Sequence, residues 1–228
     1  MNTAQRLHHL GRYLPIKHYL EIGVSKGATF LNVPFERKVA VDPHFRFRYK
    51  NTPHETYHEA TSDAYFAGLK DDVRFDCVFI DGLHHWEQAL RDFDNALQHT
   101  HAKSLIVIDD VYPCDEFSIL RSQEKAVAMR LLKTPGVRHA ASWHGDVFKA
   151  AFMIAYFYPD ISFVTIDEGF GNPQMLCWRK DREKMPTGLT AERIERLDYP
   201  GFLRHKDVLN LRSEEEALAT VARELTRG

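Results

Sequence analysis

The chain is punctuated by short apolar runs that stop on an acidic residue. KVAVD (38–42), FDCVFID (75–81), SLIVIDD (104–110) and ISFVTID (161–167) each finish on aspartate, and KHYLEIG (17–23) finishes on Glu-Ile-Gly. Runs this apolar suit strands covered on both faces, as in a parallel sheet, better than the in-out alternation of a sheet with one wet face. Between them lie stretches with helical spacing. Trp86, Leu90, Phe93 and Leu97 recur at i, i+4, i+7 and i+11, so one helix face is apolar while Glu87, Arg91, Asp92 and Asp94 fall mostly elsewhere. Helices also read over 121–134 and 146–158, the latter stopped at Tyr158-Pro159. The alternation predicts an α/β domain, a mostly parallel sheet with helices on both faces. ETYHEA (55–60) and MLCWRK (175–180) bring the predicted strands to seven, and the turn-rich DEGFGNPQ between the last two predicts a terminal antiparallel hairpin.

A chain of 228 residues can bury roughly 70% of its unfolded surface without a metal or disulfide staple. The strand-and-helix alternation fills residues 1–180. From Asp181 the composition turns charged and polar, with Pro186, Gly188 and Pro200 breaking it before a final helix in which Ser213 and Glu216 have capping-box spacing. This helical extension, 181–228, can pack on the domain or serve as a contact in a homo-oligomer. The formal charge of -2 and the lack of a basic patch argue against nucleic acid as a partner. FRFRYKN (45–51) is better read as a loop over a bound cofactor or an anionic substrate. No run approaches the ~18 apolar residues of a membrane span. Arg6, His8, His9 and Arg12 sit where a secretion signal needs an unbroken apolar centre, so a cytoplasmic protein is expected. Cys77, Cys114 and Cys177 are odd in number and far apart, which rules out a CxxC pair, and Cys77 and Cys177 fit as core fillers.

YLEIGVSKGATFLNV sets Gly23 and Gly27 between a strand and an expected short helical segment. Glycines there let the backbone turn sharply and approach a ligand closely, and a strand-to-helix turn favours glycine on its own account. Asp42 ends the next strand, where an acid can accept hydrogen bonds from the two hydroxyls of a ribose. Glu21 stands where the dinucleotide fingerprint has its first glycine. A carboxylate there repels a pyrophosphate, so a cationic or zwitterionic cofactor suits the turn better than NAD.

The two most apolar runs, FDCVFID and SLIVIDD, should be neighbouring central strands about 4.8 Å apart. Ligands of an open parallel sheet bind beyond the strand C-termini, so Asp81, Asp109 and Asp110 should converge in the crevice. Crowded carboxylates are costly unless protonated or neutralised, and an all-oxygen set suits Mg²⁺ or another hard divalent cation. His84, three residues past Asp81, is a candidate base. The structural alternatives are that Asp81 caps the following helix and that Asp109-Asp110 opens a turn. Asp146, in a Gly-Asp-x-x-Lys entry to the next apolar helix, reads more simply as a partner for the helix dipole than as a substrate contact.

These segments resemble a known family. The E-x-G-x-x-x-G turn followed by an acid at the end of the second strand resembles the cofactor turn of class I S-adenosylmethionine-dependent methyltransferases. EATSDAYF (59–66) is similar to that family's third-strand loop. FIDGLHHWEQALRDF and LIVIDDVYP resemble the metal-dependent O-methyltransferases of the macrocin O-methyltransferase-like group and, more remotely, those acting on catechols. The resemblance covers roughly residues 17–180 and implies a Rossmann-like methyltransferase fold. S-adenosylmethionine would lie on Glu21, Gly23, Gly27, Asp42, Ser62, Asp63 and Asp81, with Thr61, Ser62 or Asp63 near the adenine. A divalent ion would be held by Asp81, Asp109 and Asp110, with His84 as base. The catechol enzymes carry Asp-Asn where this chain has Asp109-Asp110. The implied substrate is a small hydroxylated molecule, a sugar or polyphenol moiety, with no nucleic acid or membrane involved. Two other readings fit parts of the pattern: an NAD(P)-dependent oxidoreductase sharing Asp42, and a non-catalytic nucleotide- or partner-binding module whose acids are structural.

Overall fold

The computed structural model describes residues 1–167, 172–185 and 188–226. Its elements, in chain order, are α1 (Thr3–Gly11), β1 (His18–Ile22), β2 (Arg37–Asp42), β3 (Glu55–Glu59), α2 (Ser62–Ala67), β4 (Phe75–Ile80), α3 (Trp86–Gln98), β5 (Thr100–Ile108), α4 (Gln123–Lys133), α5 (Phe148–Phe157), β6 (Ile161–Ile166), β7 (Met175–Arg179), α6 (Ala191–Glu195), α7 (Tyr199–His205), β8 (Leu211–Arg212) and α8 (Glu214–Thr226). They form one sheet of order β3-β2-β1-β4-β5-β7-β6-β8. β1 to β5 run parallel to one another, and β7 lies antiparallel to both β5 and β6. The mostly parallel sheet and the antiparallel hairpin are as the sequence predicts, although residues 168–171 of the connection lie outside the described residues. Leu211–Arg212 adds an eighth strand where seven are expected, pairing in parallel with β6. It is only two residues long, too short for a periodic signal. Asn210, left-handed at φ 50°, places it, with its side-chain amide donating to Phe163 O at 2.8 Å.

Alternate residues of each central strand feed opposite faces, as the period of two requires. Leu20, Ile22, Val78, Ile80, Ile106 and Ile108 pack against Phe93 of α3 and Phe148 and Phe152 of α5. Tyr19, Ala40, Cys77, Phe79, Leu105 and Val107 pack against Leu7 and Leu10 of α1 and Leu218 and Val221 of α8. Residues beyond 180 are thus built onto both faces, with Ile194, Phe202 and Leu209 on the first and Ala217, Leu218, Val221 and Leu225 on the second. Ser213 and Glu216 form the predicted reciprocal cap of α8. Pro186 of the predicted break lies outside the described residues. In α3 the most deeply buried positions are Ala89, Asp92, Phe93 and Ala96, with Trp86, Leu90 and Leu97 flanking them. The apolar stripe of the sequence is therefore offset by about one residue, because small alanines rather than leucines let α3 approach the sheet. Among the described residues no helix is long and apolar enough to cross a membrane.

Candidate active site at the carboxyl rim of the sheet

The loops after β1, β4 and β5 meet at one rim. Asp81 N donates to Ile22 O at 2.8 Å and Asp109 N to Ile80 O at 3.0 Å, so each strand end is pinned to its neighbour. Gly23 takes φ +83°, and a Cβ on it would stand 1.9 Å from the Asp81 carbonyl oxygen. Close packing of two loops therefore demands this glycine before any ligand does. Gly27 also lies at positive φ, with Leu31 and Phe47 against it. The helical segment expected after the turn is a single 3₁₀ turn, Phe30–Asn32, too short to offer an anion site at a helix N-terminus.

Asp42 is buried beneath this turn. Its Oδ2 accepts from Val24 N and Ser25 N, each at 2.8 Å, and its Oδ1 from His44 N at 2.7 Å. The acid expected to grip a ribose thus also shapes the loop, holding Ser25 at φ 48°. Glu21 is 1% exposed, with Tyr19 Oη donating to its Oε2 at 2.7 Å. Burial pushes its carboxyl up to about 8, against the Tyr19 hydrogen bond and with Asp81 adding to the rise. At neutral pH Glu21 is mostly uncharged. Phe45, Phe47 and Tyr49 of the FRFRYKN loop pack edge-on or tilted against one another and Tyr57, and Arg46 N donates to Ser25 O at 2.8 Å, which ties that loop to the glycine turn.

Asp81, His84, Asp109 and Asp110 gather at the centre of the rim. His84 Nε2 is 3.6 Å from Asp81 Oδ1, and its Nδ1 is 3.1 Å from Asp110 Oδ2. One ligand atom from each of Asp81, His84 and Asp110 falls within 4.8 Å of the others. Asp109, also expected in this set, sits beside it: its Oδ1 accepts from Asp110 N at 3.0 Å and its Oδ2 from Asn172 Nδ2 at 3.3 Å. Burial raises the carboxyls of Asp81, Asp109 and Asp110. His84 opposes the rise at Asp81, whereas the Asp81 charge lifts Asp109 and Asp110 further. Asp110 takes φ +62°, a conformation that costs a non-glycine residue about 1–2 kcal/mol. The simple turn-opening alternative fits Asp109, which accepts from the next backbone N–H, but not the strain at Asp110. The helix-cap alternative fails for Asp81, because the first N–H of α3, at Trp86, donates to Asp146 Oδ1 at 3.1 Å.

Asp146 also accepts from Arg121 Nε at 2.9 Å and lies 3.4 Å from Lys149 Nζ, so it braces α3 rather than facing a substrate. Ser62 and Asp63, at the start of α2, join the rim through Gln88, whose Nε2 donates to Ser62 Oγ and Asp63 Oδ1 at 3.1 Å each and to Asp92 Oδ1 at 3.0 Å. Thr61 caps α2 through Ala64 N. Two residues outside the sequence expectations brace His84, and a third faces Asp110. Trp143 stacks on the His84 ring at 4.4 Å and 9°, Gly145 packs against the His84 backbone, and His144 Nε2 lies 3.9 Å from Asp110 Oδ1. Burial, with His84 nearby, lowers the His144 imidazole to about 4, leaving it neutral. Only the clustering of aromatic, histidine and glycine in WHGD hints at this from sequence.

Residues 20–111 match the family model of a methyltransferase domain. No curated protein matches the chain. Among solved structures, a Klebsiella pneumoniae protein described as an O-methyltransferase aligns with TM-score 0.51 at 17% identity, over 78% of this chain and 80% of its own. TomG of Streptomyces achromogenes, an O-methyltransferase of tomaymycin synthesis in complex with SAM, aligns with TM-score 0.50 at 16% identity, over 78% and 79%. These likenesses are of fold. The matched span runs from β1 past the acids that end β5, so it contains every rim residue from Glu21 to Asp110, and over that span the chain is similar to a methyltransferase domain.

Proposed function

We propose that the protein is an O-methyltransferase that moves the methyl group of S-adenosylmethionine to a hydroxyl of a small molecule, a sugar or polyphenol moiety of a natural product or glycan, with a divalent cation assisting. The observation that carries this reading is the convergence, on one rim, of the glycine turn with Asp81, His84 and Asp110. The cofactor's sulfonium supplies a methyl group ready for in-line displacement. The glycine turn and Asp42 would seat it, with Glu21 beneath and Ser62 and Asp63 on the adenine side. A near-neutral Glu21 offers a polar wall without a fixed charge, and it can ionise when a cation arrives.

The rim suits a metal ion on its own chemistry. Three carboxyls raised by burial and by neighbouring carboxylates are stabilised by a cation. Asp81 and Asp110, with Asp109 beside them, would hold Mg²⁺ or a similar hard ion, which would lower the pKa of an acceptor hydroxyl. Because such an ion is satisfied by oxygen ligands, we assign His84 to the hydroxyl proton. The Trp143 stack fixes its ring toward the acids. Packing of Gly145 on the His84 backbone keeps the loop from swinging out.

Calorimetric titration with S-adenosylmethionine and with NAD(H), each with and without Mg²⁺, tests the reading. S-adenosylmethionine alone should bind, and a panel of hydroxylated acceptors should yield methylated product. Asp110→Asn tolerates the left-handed backbone and should lower kcat at least 100-fold while leaving cofactor affinity within about threefold. Binding of NAD(H) in place of the sulfonium cofactor, or undiminished kcat in the variant, would refute the respective half.

A further inference from the structure

We propose that Asn172 and Thr3 are positioning residues for Asp109, so that the N-terminal helix sets the orientation of the third carboxylate on the rim. The proposal deepens the metal-assisted reading above and rests on it. Asn172 lies just before β7 and Thr3 opens α1, 169 residues away in sequence. The Asn172 amide donates from Nδ2 both to Thr3 Oγ1 at 2.8 Å and to Asp109 Oδ2 at 3.3 Å. The same Thr3 oxygen accepts from Gln174 Nε2 at 2.8 Å. Gln174 Oε1 in turn accepts from Arg6 Nη1 at 3.1 Å, and that Nη1 also donates to the backbone carbonyl of Asn172. Arg6 Nε donates to Glu214 Oε2 at 2.6 Å, anchoring the array on the first turn of α8. Thr3, Arg6 and Gln174 are all buried.

A buried guanidinium is expensive unless its donors are met, and here Nε is met by Glu214 and Nη1 by Gln174 and the Asn172 carbonyl, which holds the Asn172 backbone in place. Asp109 otherwise feels the charges of Asp81 and Asp110, which favour swinging its carboxylate away from them. Two contacts oppose that swing, Asp110 N on one oxygen and the Asn172 amide on the other. Partners of this kind behind metal-facing carboxylates typically change ion affinity 10- to 100-fold when removed.

The test is Mn²⁺ titration of the full-length protein, with S-adenosylmethionine titration in parallel. Asn172→Leu keeps the size but loses the amide, and it should weaken Mn²⁺ binding about tenfold or more. Thr3→Val does not touch Asp109 and should still weaken it about threefold, and Thr3→Ser should restore the affinity to within about twofold. The cofactor Kd should stay within about twofold throughout, because none of these side chains reaches the glycine turn. Unchanged Mn²⁺ affinity in Asn172→Leu would overturn the proposal. So would an equal loss of cofactor affinity, which marks general loosening, or a failure of Thr3→Ser to rescue. A wild-type protein that binds S-adenosylmethionine but no Mn²⁺ defeats this proposal and leaves methyl transfer standing, whereas binding of neither defeats both.

Discussion

Replacing Glu21 with glutamine should stabilise the protein near neutral pH, by an amount that grows as pH rises from 4.5 toward 8. Burial holds the folded carboxyl near 8, against an ordinary value of 4.5 in the unfolded chain. Below 4.5 both states are protonated and the group is neutral in the balance. Above it the unfolded chain sheds a proton that the folded protein keeps, so folding stability falls by about 1.4 kcal/mol per pH unit until the folded pKa is reached. At pH 7 the gap from 4.5 is 2.5 units, which places the loss on the order of 3 kcal/mol. Glutamine matches the protonated side chain in shape and cannot ionise. Its amide can pair with Tyr19 once the phenol rotates, and imperfect pairing would take back about 1 kcal/mol. Urea unfolding of both proteins at pH 5, 6, 7 and 8 reads the effect, since Asp92 is common to both and drops out of the difference. A stability difference that stays flat across that range would refute the assignment of a raised pKa to Glu21.

Two further substitutions separate loop architecture from chemistry. Gly145→Ala would set a Cβ 1.9 Å from the His84 carbonyl oxygen at φ +59°, so the His84 loop must move. A drop in kcat of about tenfold or more is expected, with cofactor affinity unchanged, and steady-state kinetics beside a binding titration would expose the error if kcat held. Asp42→Ala removes the acceptor of three backbone N–H bonds, at a cost of about 1–3 kcal/mol. Cofactor affinity should fall before turnover at saturating cofactor does. Thermal melts and S-adenosylmethionine titration check the two effects, and a wild-type Kd would contradict the role given to the glycine turn.

Several features are set by local sequence. The apolar runs ending on Asp42, Asp81 and Asp110 specify strands whose polar ends cannot stay in a core, because uncompensated charge is excluded from it. The Gly23 turn, the capping box at Ser213 and the antiparallel pairing of the last two strands also follow from short-range rules of backbone and hydrogen bonding. Other features arise only from long-range packing. Nothing near Gly23 in sequence says that the Asp81 carbonyl blocks its Cβ, and nothing near Asp109 says that an amide from Asn172, held by Thr3, will meet it. Asp146 offers the same lesson, since its neighbours suggest a dipole partner for its own helix, yet it holds the start of α3. The residue types and the strand order along the chain therefore belong to the sequence. Which carboxylates face one another, how far their protons are held, and what braces them belong to the tertiary structure, because pKa shifts and hydrogen bonds depend on distances that only the packed sheet and its helices fix.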